Sequence, residues 1–417
     1  MEELEEKDSK NAIIIVGNGF DLAHGMKTSY SDFSDWYIEN KILPIFDDFP
    51  LKKENFNPKF IKYCNDKFLY EGLLQDYDSN VKWLRGLFNS SFEEEELENF
   101  KERFIIDKTK FKYVIKNQLL GKLYQDKYDN WFDIEQAYFH ELVKLMGEFN
   151  AGRTLDSTRK LLNILNNDFL EIQNSLEEYL LDIKVVESDS VGKFFMSNFY
   201  GKKKVTIVNF NYTDTISSYV NRISLDIGSK INTKEVVVNH IHGKLSDRII
   251  FGYGDDGNKD YLLMKESGID EFLKNFKTFH YIQDYNYRKI IDELSSSKDY
   301  EVYILGHSLG ATDKTLLSEI MDSDKCINIH LFKRNDLLDE NEKQTELQKL
   351  VFNLSRILKH DKDSRKKIVP IELCSHFPYN YESDLQIIDS KFKEIYGPDF
   401  GKPKRKNGIK ASFIPNR

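Results

Sequence analysis

Four short segments of the 417-residue chain carry residue types that do chemistry, and each stands directly after a short apolar run. Gly17-Asn18-Gly19 follows Ile13 to Val16, and Asn209-Phe210-Asn211-Tyr212-Thr213-Asp214 follows Val205 to Val208. His240-Ile241-His242-Gly243 follows Val236 to Asn239, and Gly306-His307-Ser308-Leu309-Gly310 follows Glu301 to Leu305. An imidazole titrates near neutral pH and suits a weak general base, which is the role His242 fits. The amide of Asn211 both donates and accepts, so it can hold a water or a sugar hydroxyl. A glycine turn at the end of a strand lets a ligand approach the backbone, and N–H groups at the start of a following helix would face a phosphate. His240 and His242, at alternate positions, could pair on a metal, but no third ligand has fitting spacing, and no metal is expected.

These segments need a scaffold that brings strand ends together. The runs of β-branched residues read as buried parallel strands, with Ile327 to Phe332 as a further strand and Ile249 to Tyr253 as another. Helices are predicted from Asp21 to His24, from near Tyr30, from about Thr312 to Met321 and from about Asp339 to Leu358. Strand, polar loop and helix thus recur. That alternation predicts an α/β fold with a Rossmann-like, doubly wound, mainly parallel sheet, in which ligands bind at the carboxyl edge of the strands. Between about Pro44 and Tyr200 glycine is sparse, and Glu93 to Phe104, Ile134 to Phe149 and Ser157 to Ile183 show apolar residues at three- and four-residue intervals. This reads as a large inserted α-helical region. Within it Trp131-Phe132-Asp133-Ile134-Glu135 looks like a helix start, and Glu135 reads as a structural residue or one that supports a site from behind. The expected organisation is a discontinuous nucleotide-binding core over residues 11–45 and 201–335, a helical insertion over 46–200, and a C-terminal helix and tail over 336–417, with Ile368 to Leu373 as one more strand.

Composition narrows the function. A hydrophobic content of 40% supports a large core, and the net charge of −9 argues against a general nucleic-acid surface. The one basic cluster, Lys402 to Lys410, reads as a solvated tail. Cys64, Cys326 and Cys374 are far apart, with no CxxC pair, which suits a reducing compartment. No apolar run approaches membrane-spanning length, so a cytoplasmic protein is expected.

One motif points elsewhere. GHSLG matches the G-x-S-x-G nucleophile elbow, and its strand-turn-helix setting would place Ser308 above the sheet as an esterase nucleophile. The partners fit poorly: of the downstream candidates Asp313, Asp324, His330, His360 and His376, only His376 has a plausible distance and loop, and no HGGG-type oxyanion loop is present.

Taken together and in order, GNGFDLAHG, NFNYTD, HIHGKL and LGHSLGATD resemble the AbiH family of phage abortive-infection proteins and, through it, SIR2-like, sirtuin-related NAD-consuming domains. The resemblance covers residues 11 to 40 and about 203 to 335. It implies a catalytic role for Asn211 and His242, and NAD-binding roles for Gly17, Asn18, Gly19, Phe20, Asp21, Gly25, Asn209, Asp214, Gly306, His307 and Ser308, the last three on the adenosine side. The sirtuin pattern is not complete. Its proline, aspartate, phenylalanine and arginine are missing after Gly25, although Asp32-Phe33 resembles a displaced remnant, and Asp214 falls one residue late. Its zinc cysteines are absent, which points away from a protein deacylase and toward effectors that cleave NAD.

The resemblance therefore implies an anti-phage effector that hydrolyses NAD at the nicotinamide–ribose bond, with NAD as substrate and a phage component as trigger; a homo-oligomer is left open. Such cleavage passes through an oxocarbenium-like state, and nicotinamide leaves as a neutral base without protonation. His242 would serve as base, Asn211 would hold water and ribose hydroxyls, the glycine loop would cradle pyrophosphate and Asp21 would stand near a ribose. The alternatives are the Ser308 esterase, a nucleotide-sensing defence protein without turnover, and an interaction protein whose insertion recognises a phage component.

Overall fold

The structure is a computed structural model, and it describes residues 11–37, 40–41, 61–64, 68–72, 111–115, 117, 119–120, 131–199, 202–224, 235–245, 247–332, 340–377, 390 and 393. Its strands are β1 (Asn11–Val16), β2 (Ile61–Cys64), β3 (Phe68–Gly72), β4 (Phe111–Ile115), β5 (Lys204–Asn209), β6 (Glu235–His240), β7 (Tyr300–Leu305) and β8 (Cys326–His330). Five of them form one all-parallel sheet in the order β6-β5-β1-β7-β8, so β1 is central. Counted within the sheet this is the doubly wound order 3-2-1-4-5. The strand order reverses between β1 and β7, the kind of switch point at whose carboxyl edge doubly wound sheets bind ligands.

β1 shows why the sequence selects a parallel strand. Its side chains alternate between two cores, Ile13 and Ile15 on one face and Ala12, Ile14 and Val16 on the other, all buried. A strand covered on both faces must be apolar throughout, and the run Ile13 to Val16 is.

The helices are α1 (Asn18–Ala23), α2 (Tyr30–Tyr37), α3 (Trp131–Asn150), α4 (Leu155–Leu181), α5 (Asp189–Asn198), α6 (Val220–Ser224), α7 (Lys259–Glu266), α8 (Lys277–Tyr281), α9 (Asn286–Ser296), α10 (Lys314–Met321), α11 (Glu340–Ile357) and α12 (Asp361–Lys367). One face of the sheet is covered by α9, α10 and α11 through Ile290, Leu294, Leu316, Leu317, Ile320 and Leu354. The other is covered by α1, α5 and α6 through Phe20, Phe194, Phe195 and Ile223. A third core joins α2, α3 and α4 to residues 251–276, with Tyr138 stacked on Phe169 at 4.1 Å and Phe139 on Tyr253 at 3.8 Å. Ser29 and Asp32 close a reciprocal capping box at the start of α2, which gives Asp32 a structural task.

Several elements differ from expectation. Ile249 to Tyr253 is not a strand: these apolar residues are buried, but Tyr253 makes only an isolated bridge to Phe276, and Ile250 N–H donates to the His242 carbonyl. Ile368 to Leu373 is likewise a single bridge at Ile368 followed by a 3₁₀ turn at Ile371–Leu373. The stretch read as helical also carries β2, β3 and β4, an antiparallel three-stranded sheet. The helix expected over Glu93 to Phe104 and the basic cluster at Lys402 to Lys410 lie outside the described residues. Among the described residues no helix is long and apolar enough to cross a membrane.

Candidate functional site

A cavity of about 490 Å³ opens at the carboxyl edge of the sheet, inside the roughly 300–1,000 Å³ range of small-molecule sites. Each of the five parallel strands sends residues to its wall: Gly17, Asn18 and Gly19 after β1, Asn211 and Thr213 after β5, His242 after β6, Gly306, His307 and Ser308 after β7, and Phe332 after β8. Glu135 and Leu176 reach it from α3 and α4, and Lys349 and Asn353 from α11. Four of the residues assigned above stand off this wall. Phe20 is fully buried against Phe195, Tyr219 and Phe377, and Gly25 sits at a turn with φ +71°. Asn209 is buried as a loop organiser, its Oδ1 accepting from Asn211 N–H and its Nδ2 donating to the Thr213 carbonyl. Asp214 is exposed, in ion pairs with His240 and Lys244.

The glycines of the first loop face another loop. Gly17 N–H donates to the Leu305 carbonyl at 3.0 Å and Gly19 N–H to the Gly306 carbonyl at 2.8 Å. A Cβ on Gly17 would lie 2.6 Å from His307 Cα, and one on Gly19 would lie 2.8 Å from Gly306 Cα. The close approach that demands glycine is therefore backbone on backbone, and it locks the β1 loop to the β7 loop at the centre of the site. Of the Gly17, Asn18 and Gly19 N–H groups expected to cradle a pyrophosphate, those of Gly17 and Gly19 are engaged in that contact. Asn18 ties the same loop to the next, donating to the Thr28 carbonyl at 2.9 Å.

Deep in the cavity lies a buried charged cluster. Lys277, 1% exposed, places its ammonium 2.6 Å from Asp313 Oδ1 and 3.0 Å from Glu135 Oε2. His242 Nε2 is 3.2 Å from the same Asp313 oxygen and 3.1 Å from the Tyr281 hydroxyl, and His307 Nε2 is 3.5 Å from Asp313 Oδ2. Phe210 stands edge-on between the two imidazoles, with centroids at 5.1 Å from His242 and 4.4 Å from His307. Glu135 Oε1 accepts from Gly252 N–H at 2.9 Å, which pins the buried loop after His242.

The charges follow from this geometry. Burial alone would raise the Asp313 carboxyl, but the Lys277 ammonium and the His242 side chain hold it well below the usual carboxylate range. Burial lowers His242, and Lys277 lowers it further against the pull of Asp313, so the imidazole is neutral at pH 7. Burial pushes Glu135 up to about 7 despite Lys277. The Lys277 ammonium stays charged because two carboxylates outweigh its desolvation, which excludes it as an amine nucleophile. With Asp313 ionised, the Nε2–H tautomer of His242 is favoured. Nδ1 then carries the lone pair.

Asn211 and Asp21 line the same cavity. Asn211 Nδ2 donates to the Gly17 carbonyl at 3.1 Å, and among the described residues no hydrogen bond engages its Oδ1. Asp21 is 1% exposed; its Oδ2 accepts from the Thr213 hydroxyl, and among the described residues its Oδ1 has no hydrogen-bond partner. Burial pushes this carboxyl up to about 6, against Thr213, Thr215 and Asn211.

The β7 loop lacks the strained geometry of a nucleophile elbow at serine. Positive φ falls on Gly306 (69°) and Leu309 (58°), on either side of Ser308. His307 Nδ1 accepts from Leu309 N–H at 2.9 Å, and among the described residues no histidine hydrogen-bonds to Ser308 Oγ. The serine is exposed, its carbonyl held by Asn353 Nδ2 at 2.9 Å.

Residues 13–333 match the family described as Bacteriophage abortive infection AbiH, a span that contains four of the five parallel strands, all of β1 but Asn11 and Ala12, and the whole buried cluster. The chain belongs to this family. It is thus a phage abortive-infection defence protein. No curated protein matches it. Lys349 and Asn353 of this AbiH protein lie beyond the matched span. Among the described residues no three ligating side chains converge as a metal site: His240, at the end of β6, pairs with Asp214, whereas His242 turns to Asp313. Lys277 has no motif around it and carries no signal in the sequence. Asp313 ends the LGATD segment, where it reads as a hydrolase acid, and Glu135 stands in the one distinctive stretch of the helical region.

Proposed function

We propose that this AbiH protein is an abortive-infection effector that hydrolyses NAD at the nicotinamide–ribose bond, and that its sheet and loops are a SIR2-like core. The observation that carries the reading is the placement of His242, its Nε2 held by Asp313 and Tyr281, in one cavity with Asn211. A neutral imidazole with its lone pair on Nδ1 is the base such a reaction needs. As the bond from ribose C1′ to nicotinamide breaks, the leaving group takes the electron pair and departs neutral. A water oxygen bonds to C1′, and its proton passes to His242 Nδ1. Asn211 Oδ1 accepts from that water or from a ribose hydroxyl, and the ionised Asp313 offsets the charge that develops on the imidazole.

The pyrophosphate must find its donors away from Gly17 and Gly19, whose N–H groups are engaged. Lys349, exposed on the cavity wall one turn before Asn353, supplies the cation nearest in kind to that need. A phage component is the proposed trigger. The test is to follow NAD and its products by mass spectrometry in infected cells. Loss of NAD with matching gain of nicotinamide and ADP-ribose is expected, and intact NAD in cells that die from this protein would overturn the proposal.

A further inference from the structure

Nothing in the proposed reaction touches Lys277, yet its ammonium lies between two carboxylates from distant parts of the chain. Burying a cation with two anions carries a desolvation penalty that their attraction need not repay, so the cluster is weak evidence for a purely stabilising role. One of its partners is the Asp313 oxygen that also faces His242. The other, Glu135, comes from α3, so the cation ties the helical region to the Asp313 carboxylate.

We propose that Lys277 is a positioning residue for the reaction: held between Glu135 and Asp313, it fixes the Asp313 carboxylate against His242 and so selects the His242 tautomer that can act as base. This rests on the reading of His242 as base. Lys277 and Glu135 both stand on the cavity wall, and the ammonium acts on His242 through the Asp313 oxygen that they share.

The groups that face His242 define what removing the cation does. They are Asp313 at the start of α10, Tyr281 and Lys277 of α8, His307 after β7 and, across one ring contact, Tyr212 after β5, with Glu135 of α3 behind Lys277. Lys277 repels a proton on His242 and Asp313 attracts one. Without the ammonium the attraction is unopposed, so His242 becomes easier to protonate and a larger fraction is lost as base at neutral pH.

The experiment compares wild type, Lys277→Met, Lys277→Arg and the double variant Lys277→Met/Glu135→Gln. The double variant removes one charge of each sign and leaves the buried cluster with the same net charge, so it is the informative protein if the single variant does not fold. Each is titrated by NMR of ¹⁵N-labelled imidazoles, with His242 assigned from a His242→Gln variant, and its NAD turnover is followed against pH. The His242 midpoint is expected to move up by about one pH unit or more in the variants that lack the cation. The acid limb of turnover should move with it, costing about tenfold for each pH unit the midpoint moves at pH values below both midpoints, less near pH 7, and recovering at alkaline pH, while Lys277→Arg keeps both in place. Uniform loss of turnover at every pH with an unmoved His242 midpoint would overturn the proposal and leave Lys277 a purely structural residue. Should wild type release no nicotinamide, the NAD reading fails, and the imidazole titration still decides the role of Lys277.

Discussion

His242 Nε2 lies 3.2 Å from Asp313 Oδ1, although the two residues belong to loops after different strands. The carboxylate orients the imidazole and sets which nitrogen keeps its proton. Asp313→Asn is nearly isosteric but offers an amide that can donate to Nε2, favouring the wrong tautomer. By analogy with other carboxylate-oriented histidines, nicotinamide release should fall by roughly 10²- to 10⁴-fold with KM little changed. Steady-state kinetics at pH 7.5 checks it.

The contact between the β1 and β7 loops predicts a local intolerance. Gly306 has φ +69°, and a Cβ there would lie 2.2 Å from Phe20 N and 2.5 Å from Gly19 C. Neither backbone can yield without moving the site, so Gly306→Ala should cost about 3 kcal/mol or more. Gly147, within α3, would meet nothing within 4 Å, and Gly147→Ala should stabilise by about 0.5–1 kcal/mol. Urea unfolding of the two variants measures both.

Asp21 predicts a pH dependence of stability. Its carboxyl is raised from 3.8 to about 6 by burial. Below the lower value folded and unfolded chains are both protonated, and between the two values only the unfolded chain releases its proton. Wild type therefore loses stability as pH rises through this window, by up to about 3 kcal/mol. Asp21→Asn removes the titration. The stability of the variant relative to wild type should rise between pH 4 and pH 7, as measured by denaturant midpoints. A relative stability that falls over that range would contradict the burial argument.

The sheet was legible because β1, β5 and β7 are covered on both faces and so are mostly apolar, and the polar residues just past their ends mark the carboxyl edge. Ile249 to Tyr253 shows the limit of that signal. The run is as apolar as a strand, but its N–H groups go to the His242 carbonyl, to the Glu135 carboxylate and to the Asn275 carbonyl, so burial came without a ladder. Gly17 and Gly19 carried a true signal of close approach, and the sequence could not say that the neighbour was backbone. Lys277 left no trace, because its partners stand 36 and 142 positions away and nothing local marks the meeting. Phe20, Gly25, Asn209 and Asp214 sit beside wall residues in the chain, and their side chains serve core, turn, loop and surface.

The central claim is that His242 and Asn211 carry the reaction, and the most direct measurement is nicotinamide release from NAD by the chain and three variants, in phage-infected cells and as purified protein. Wild type should release it, His242→Ala and Asn211→Ala should each lose roughly 10²- to 10⁴-fold, and Ser308→Ala should change KM more than kcat. Undiminished release by His242→Ala, or an inactive Ser308→Ala with wild-type serine labelled by a fluorophosphonate, would contradict it.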